Sequence, residues 1–297
     1  MNCIEQIVTE RYAAYHGDCV EVLRGLPDAS IGYSIFSPPF VSLYTYSNSP
    51  HDMGNVRDDA EFFEHFDYLI AELRRVIKPG RNVSFHCMDL PASKERDGYI
   101  GLKDFPGDLL RAFQRRGFIF HSKATIWKDP VTAMQRTKAL GLLHKSVREN
   151  SAMCRQGIPD YLITVRAPGE CERVTHTPAE YPVEQWQRVA SPVWMDINPS
   201  DTLQYMSARE HDDERHICPL QLEVIRRGIV LWTNPGDIVL SPFLGIGSEG
   251  YVALQLGRRF VGIELKGSYY RQAVSNLDAC TRQTADLFDA ATDEQAA

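Results

Sequence analysis

The chain has no apolar run near the roughly 20 residues needed to cross a membrane. Its opening stretch, Met1–Glu10, lacks a basic region followed by an apolar one, so no secretory leader is expected. No Cys-x-x-Cys pair occurs among the 7 cysteines, and their number is odd, which argues against a zinc site or a disulfide framework. No metal is expected, and the setting reads as reducing and cytoplasmic. Positive charge is scarce: 32 Lys and Arg against 39 Asp and Glu leave a net charge of −7, so the surface as a whole does not suit nonspecific binding to polyanions. There is no internal repeat and no low-complexity block. What remains is 297 residues at 43% hydrophobic content, enough to bury a large core.

Basic charge is nevertheless concentrated. Lys123, Lys128, Arg136, Lys138, Lys145, Arg148, Arg155 and Arg166 share their stretch with only Asp129, Glu149 and Asp160, as a phosphate-tracking surface would. On composition alone, a solvated charged face is the favoured reading of the same stretch.

Periodicity gives alternating strands and helices at both ends. Strands are expected at Tyr12–Tyr15, Ile31–Phe36, Asn82–Cys87, within 118–127, at Tyr161–Val165, Ile238–Leu240 and Phe260–Glu264. Helices are expected at Val20–Arg24, Asp59–Ile77 (stopped by Pro79-Gly80), Pro106–Arg116, Leu220–Thr233, Ser248–Leu256 and Tyr269–Thr281, with a frayed acidic tail after Asp278. Residues 41–57 read as a long polar loop. The alternation fails over about 129–210, which reads as an insert whose strand near 161–165 rejoins the main sheet. The pattern predicts an α/β fold with a mostly parallel sheet.

Two loops carry chemistry. Ser37-Pro38-Pro39-Phe40 follows a buried strand that two prolines must end, leaving a rigid turn with a hydroxyl, a carbonyl and an aromatic ring. Downstream, Gly245, Gly247 and Gly250 stand in G-x-G-x-x-G spacing between a strand and a helix, and Glu264 ends the next strand, where a carboxylate can take both hydroxyls of a ribose. Too little chain follows Glu264 to complete a nicotinamide-binding fold, so the N-terminal half must complete the sheet. The fold is therefore circularly permuted. No G-x-S-x-G elbow surrounds Ser37, which excludes a serine-hydrolase nucleophile.

The chain resembles the permuted β-class DNA amino-methyltransferases over about 12–128 and 211–280. The resemblance is carried by Gly17-Asp18-Cys19, Leu26-Pro27-Asp28, Ser37-Pro38-Pro39-Phe40, Val76-Ile77-Lys78-Pro79-Gly80, Arg215 to Gln221, Pro235-Gly236-Asp237, Ser241-Pro242-Phe243 with its glycines, Gly257 to Glu264 and Tyr269. It implies a Rossmann-like methyltransferase sheet in three parts: a catalytic half (1–128), a target-recognition insert (129–210) and a cofactor half (211–282), before a flexible tail (283–297). It implies S-adenosylmethionine as methyl donor. Asp18 and Cys19 would lie at its adenine, and Glu264 at its ribose. His216, Pro219, Ser241, Pro242, Phe243, Gly245 and Gly247 would lie along its methionine part. Many relatives carry Asp where this chain has Ser241.

The resemblance further implies double-stranded DNA as substrate and a target base flipped from the stack. Ser37 and the Pro38 carbonyl would hold the amino group, with Pro39 stiffening the turn and Phe40 stacking on the base. Tyr44 and Tyr46 would be further walls, whereas Trp127 reads more as core. Arg136, Lys138, Lys145, Arg148 and Arg155 would touch phosphates or guanines. Ser at position 37 favours cytosine N4 over adenine N6. An RNA methyltransferase and an inactive DNA-binding homologue stay open as more remote alternatives. A monomer or homodimer is expected, with any restriction endonuclease a separate chain.

Overall fold

The strand Ile31–Phe36 (β3) is buried at every residue, as a mostly apolar strand covered on both faces requires. The computed structural model describes residues 2–39, 59–132, 144–204 and 219–295. Around β3 lie Glu5–Val8 (β1), Tyr12–His16 (β2), Ile77–Cys87 (β4), Ile119–Ile126 (β7), Asp160–Arg166 (β8), Val193–Trp194 (β9), Ile238–Ser241 (β10) and Arg259–Glu264 (β11). These form a 9-stranded sheet in the order β1-β2-β11-β10-β3-β4-β8-β7-β9. The last two strands in sequence thus sit between β2 and β3, and the sheet is closed only by joining the two ends of the chain. The permutation expected from the sequence is present. Strands β2, β11, β10, β3 and β4 run parallel, and β8 enters antiparallel between β4 and β7.

Helices cover both faces. Cys19–Arg24 (α1), Asp59–Val76 (α2) and Phe105–Arg115 (α4) bury Val22, Leu23, Phe62, Phe66, Leu69, Leu73, Leu109 and Phe113 against one face. On the other, Val183–Ala190 (α6), Leu222–Trp232 (α7), Ser248–Gln255 (α8) and Gly267–Gln295 (α9) bury Val189, Ile225, Ile229, Val252, Ala273 and Leu277. A small hairpin, Leu90–Ala92 (β5) with Gly101–Lys103 (β6), encloses Lys94–Asp97 (α3), and His144–Asn150 (α5) lies in the insert.

The first core is aromatic. The Phe113 ring stacks on Phe85 at 4.8 Å and meets Phe118 edge-on at 5.3 Å. Replacing Phe113 by alanine is expected to cost about 3–5 kcal/mol through lost transfer energy and a cavity, read as a lowered urea midpoint.

The structure departs from the sequence reading in several places, among them strand β1 and helices α5 and α6, which the sequence reading did not contain. Helix α2 ends at Val76 and β4 begins at Ile77, so Lys78-Pro79-Gly80 lies inside the strand. A register shift opposite, between Ile31 and Tyr33, accommodates it. The hairpin β5–β6 and the two-residue edge strand β9 are too short to show a period. Helix α9 continues to Gln295 rather than ending near Thr281, since no Gly or Pro interrupts the acidic, Ala-rich segment. The insert returns β8 to the main sheet, as the sequence reading expected, and adds the unexpected edge strand β9.

Candidate active site

Parallel strands end on one edge of the sheet, and the two motifs meet there. Strand β10 hands its chain to α8 on one face, whereas β3 hands its chain towards α2 on the other. The loops therefore part at adjacent strands and leave a crevice, the position at which open α/β sheets bind ligands. The Ser34 hydroxyl donates to the Leu240 carbonyl (3.0 Å), locking β3 to β10 just below the edge. Above it, the Phe36 and Phe243 rings pack at 5.6 Å, so the Ser-Pro-Pro turn and the glycine loop are neighbours.

On the cofactor side, Glu264 ends β11. Its carboxylate accepts the Gly245 N–H (2.8 Å) and the Lys266 N–H (2.9 Å), which fixes its orientation. Gly17 N–H donates to the Glu264 carbonyl (2.9 Å), so the end of β2 joins the same corner. Gly247 has φ +92°, a left-handed conformation that suits glycine. A Cβ at Gly250 would come within 2.6 Å of the Phe260 ring, so its role is close packing of α8 on β11. Gly250→Ala is expected to destabilise the fold by about 1–3 kcal/mol, measurable by thermal unfolding.

Pro242 is buried, and Ser241 is fully buried with a hydroxyl that has no hydrogen-bond partner among the described residues. An orphaned polar atom at this place fits a ligand supplying the missing partner. Asp18 is half-buried and caps α1, its Oδ1 accepting the Glu21 N–H (2.9 Å). The Cys19 thiol is buried in the core and pushed up by burial, so only the backbone of Cys19 can face a cofactor. Pro219 precedes α7 and is half-buried. The backbone carbonyl of Asp201 caps that helix by accepting the Leu222 N–H (2.8 Å).

Glu249, in the first turn of α8, is a buried acid. Burial pushes its carboxyl up to about 8; its own backbone N–H works against this, and the Glu264 carboxylate adds to it. The unfolded chain ionises this group near its ordinary value while the folded chain holds the proton. Stability is thus fully present below that value and is lost as pH rises towards about 8. Glu249→Gln should raise the melting temperature at alkaline pH and change little in mild acid.

On the catalytic side, Ser37 is half-buried, Pro38 buried and Pro39 half-buried. The Ser37 Oγ lies 3.2 Å from His86 Nδ1. His86 Nε2 lies 3.1 Å from the Asp160 carboxylate, and Lys128 Nζ reaches the same carboxylate at 2.5 Å. The His86 to Asp160 approach is off the line of a good hydrogen bond, so the pairing is mainly electrostatic. Burial pushes the Asp160 carboxyl up, but His86 and Lys128 outweigh it and hold the group below its ordinary value. Sequence reading missed His86 and Asp160. They end β4 and begin β8, and only the antiparallel entry of β8 brings them to the edge.

Phe40, Tyr44, Tyr46, Arg136, Lys138 and His216 lie outside the described residues. Trp127, expected in the core, is 45% exposed at the end of β7, because the sheet ends there and nothing described covers it. The basic stretch divides. Arg166 lies at the opposite edge of the sheet beside Gly80 and His121. Lys123 sits over the Tyr161 ring, and Lys128 serves Asp160. Lys145 and Arg148 are exposed on α5, and half-buried Arg155 donates to the Gln156 carbonyl (3.2 Å).

A family model described as DNA methylase matches residues 34–275. The chain belongs to that family, and with it to the S-adenosylmethionine-dependent DNA methyltransferases that act on amino groups. Among curated relatives, the Type II methyltransferase M.BglII of Bacillus subtilis is 24% identical over 260 residues, covering 86% of this chain and 66% of that protein. The DNA adenine methyltransferase YhdJ of Escherichia coli K12 is 25% identical over 280 residues, 91% of this chain and 84% of that one. Two solved structures share the fold. TTHA0409 of Thermus thermophilus, complexed with S-adenosyl-L-methionine, has a TM-score of 0.66 at 23% identity over 92% of this chain and 96% of that one. The cytosine-N4-specific PvuII DNA methyltransferase has a TM-score of 0.66 at 16% identity, over 93% and 90%.

Proposed function

We propose that this chain methylates the exocyclic N4 of a cytosine flipped out of duplex DNA. The observation that carries the reading is the adjacency of the Ser-Pro-Pro turn after β3 and the glycine loop after β10, joined by the Phe36–Phe243 contact. S-adenosylmethionine supplies the methyl group and would be held by Glu264 at its ribose and by the Ser241 to Gly247 loop, with Asp18 at the adenine corner. An amine conjugated with its ring is a poor nucleophile. Ser37 Oγ and the Pro38 carbonyl accept its two N–H groups, localise its lone pair and aim it at the donor; positioning and electrostatics do the rest. Extrusion of the base is required because the reacting nitrogen is otherwise shielded within the duplex.

Residues 129–210 would read the target sequence, with Lys145, Arg148 and Arg155 among its cations and exposed Trp127 a candidate wall of the base pocket. The Type II name of M.BglII supports a separate endonuclease partner. Adenine N6 is the second reading, favoured by the relative named an adenine methyltransferase. Incubation with labelled S-adenosylmethionine and unmethylated duplex DNA, followed by nucleoside digestion and mass spectrometry, decides. N4-methylcytosine is the expected product. N6-methyladenine would overturn the base assignment and leave the transfer chemistry in place.

A further inference from the structure

We propose that His86 takes up the proton released by the target amine, through the Ser37 hydroxyl, and that Asp160 orients His86 for this step. The inference rests on the reading of Ser37 as an acceptor for the amine. Methyl transfer forms an N–C bond and breaks the S–C bond of the sulfonium. The sulfur keeps the electron pair and leaves as a neutral thioether, so the positive charge passes to the nitrogen, which must shed one proton. Ser37 Oγ is the group placed at that nitrogen, and a hydroxyl takes a proton readily only if it passes its own onward. His86 Nδ1, at 3.2 Å, is in place to accept it.

The tautomer follows from electrostatics. Asp160 is buried, and His86 and Lys128 together hold its carboxyl below its ordinary value. A carboxylate 3.1 Å from Nε2 favours a proton there, and leaves Nδ1 bare towards Ser37. As the imidazole charges, Asp160 stabilises it. Lys128 shares the same carboxylate. Among the described residues, Ser37 after β3 and Asp160 on β8 meet the ring; Lys128 after β7 pairs with Asp160, and next along β4 stands Cys87, whose thiol is pushed up by burial and by Asp160. His86 acts through Ser37 and Asp160 through His86, so both are positioning residues for the amine.

The test compares the wild type with His86→Ala, His86→Gln, Asp160→Asn and Ser37→Ala, measuring kcat and KM with duplex DNA and S-adenosylmethionine from about pH 5 to about pH 8, the window in which a histidine changes charge. In the wild type kcat should rise along an acid limb. His86→Ala should lose roughly 10- to 100-fold in kcat, below the range for a fully committed base because solvent can also take the proton. Its KM values should stay near wild type, its acid limb should vanish, and added imidazole should restore part of the rate. His86→Gln, which keeps a hydrogen-bonding group beside Ser37, should be equally slow and carries the test if His86→Ala does not fold. Asp160→Asn should move the limb to lower pH, because the lost carboxylate no longer stabilises the imidazolium.

Wild-type kcat with an unchanged limb in the His86 variants would overturn the relay, as would a rate loss with the limb intact and no imidazole rescue. If the wild type methylates DNA and Ser37→Ala is slow, such a result removes the relay alone. If the wild type transfers no methyl group to DNA, the underlying reading falls with it.

Discussion

Replacing Ser37 by alanine lowers kcat by about 10²–10³-fold while the Kd for S-adenosylmethionine stays within about twofold. That range is typical for removing one preorganised hydrogen-bonding group from a site where charge develops. The asymmetry follows from position. Ser37 follows β3, where the proposed reaction would place the reacting nitrogen, whereas the proposed cofactor contacts lie after β10 and β11. An interaction made chiefly in the transition state lowers kcat and kcat/KM together. Single-turnover rates with labelled donor and saturating DNA, alongside calorimetric titration of the cofactor, measure both numbers. Unchanged kcat would remove Ser37 from the chemistry. A loss confined to cofactor affinity would place it in the wrong half of the crevice.

Replacing Glu264 by alanine weakens S-adenosylmethionine binding by roughly 100-fold. Hydrogen bonds to a charged group contribute about 1.5–3 kcal/mol each, and each 1.4 kcal/mol is a factor of ten. Two ribose hydroxyls on one carboxylate would exceed 100-fold, and partial replacement by water reduces the loss. The carboxylate also accepts the Gly245 and Lys266 N–H groups, so part of the effect arrives through a loosened glycine loop. Glu264→Gln separates the contributions: its amide oxygen can still accept one partner, so its loss should be smaller. Titration calorimetry gives the affinities, and circular dichroism shows that the variants are folded. Binding within threefold of wild type in Glu264→Ala would exclude the ribose role.

Much of the fold was legible because its main strands and helices carry strong periods. Ile31–Phe36 is a mostly apolar run, and α2 buries Phe62, Phe66, Leu69, Ile70, Leu73 and Val76 at helical spacing. The glycine loop was legible because its function requires particular backbone conformations and close approaches, and these restrict residue type locally. Trp127 was misread because a tryptophan's burial depends on what lies over it, and β7 ends near the sheet edge. The basic stretch was read as one surface, yet β8 runs across the sheet and carries Arg166 to the edge opposite Asp160.

The sequence by itself determined the class of fold, its permutation, the family and the two loops of the crevice, since these rest on local motifs and on their order along the chain. Only the tertiary structure decided that Ser37, His86, Asp160 and Lys128 form one connected group. Those four residues come from four separate segments of the chain, and their distances depend on strand order, direction and register. No local pattern records them, because the pairing of β8 between β4 and β7 is set by burial over the whole sheet.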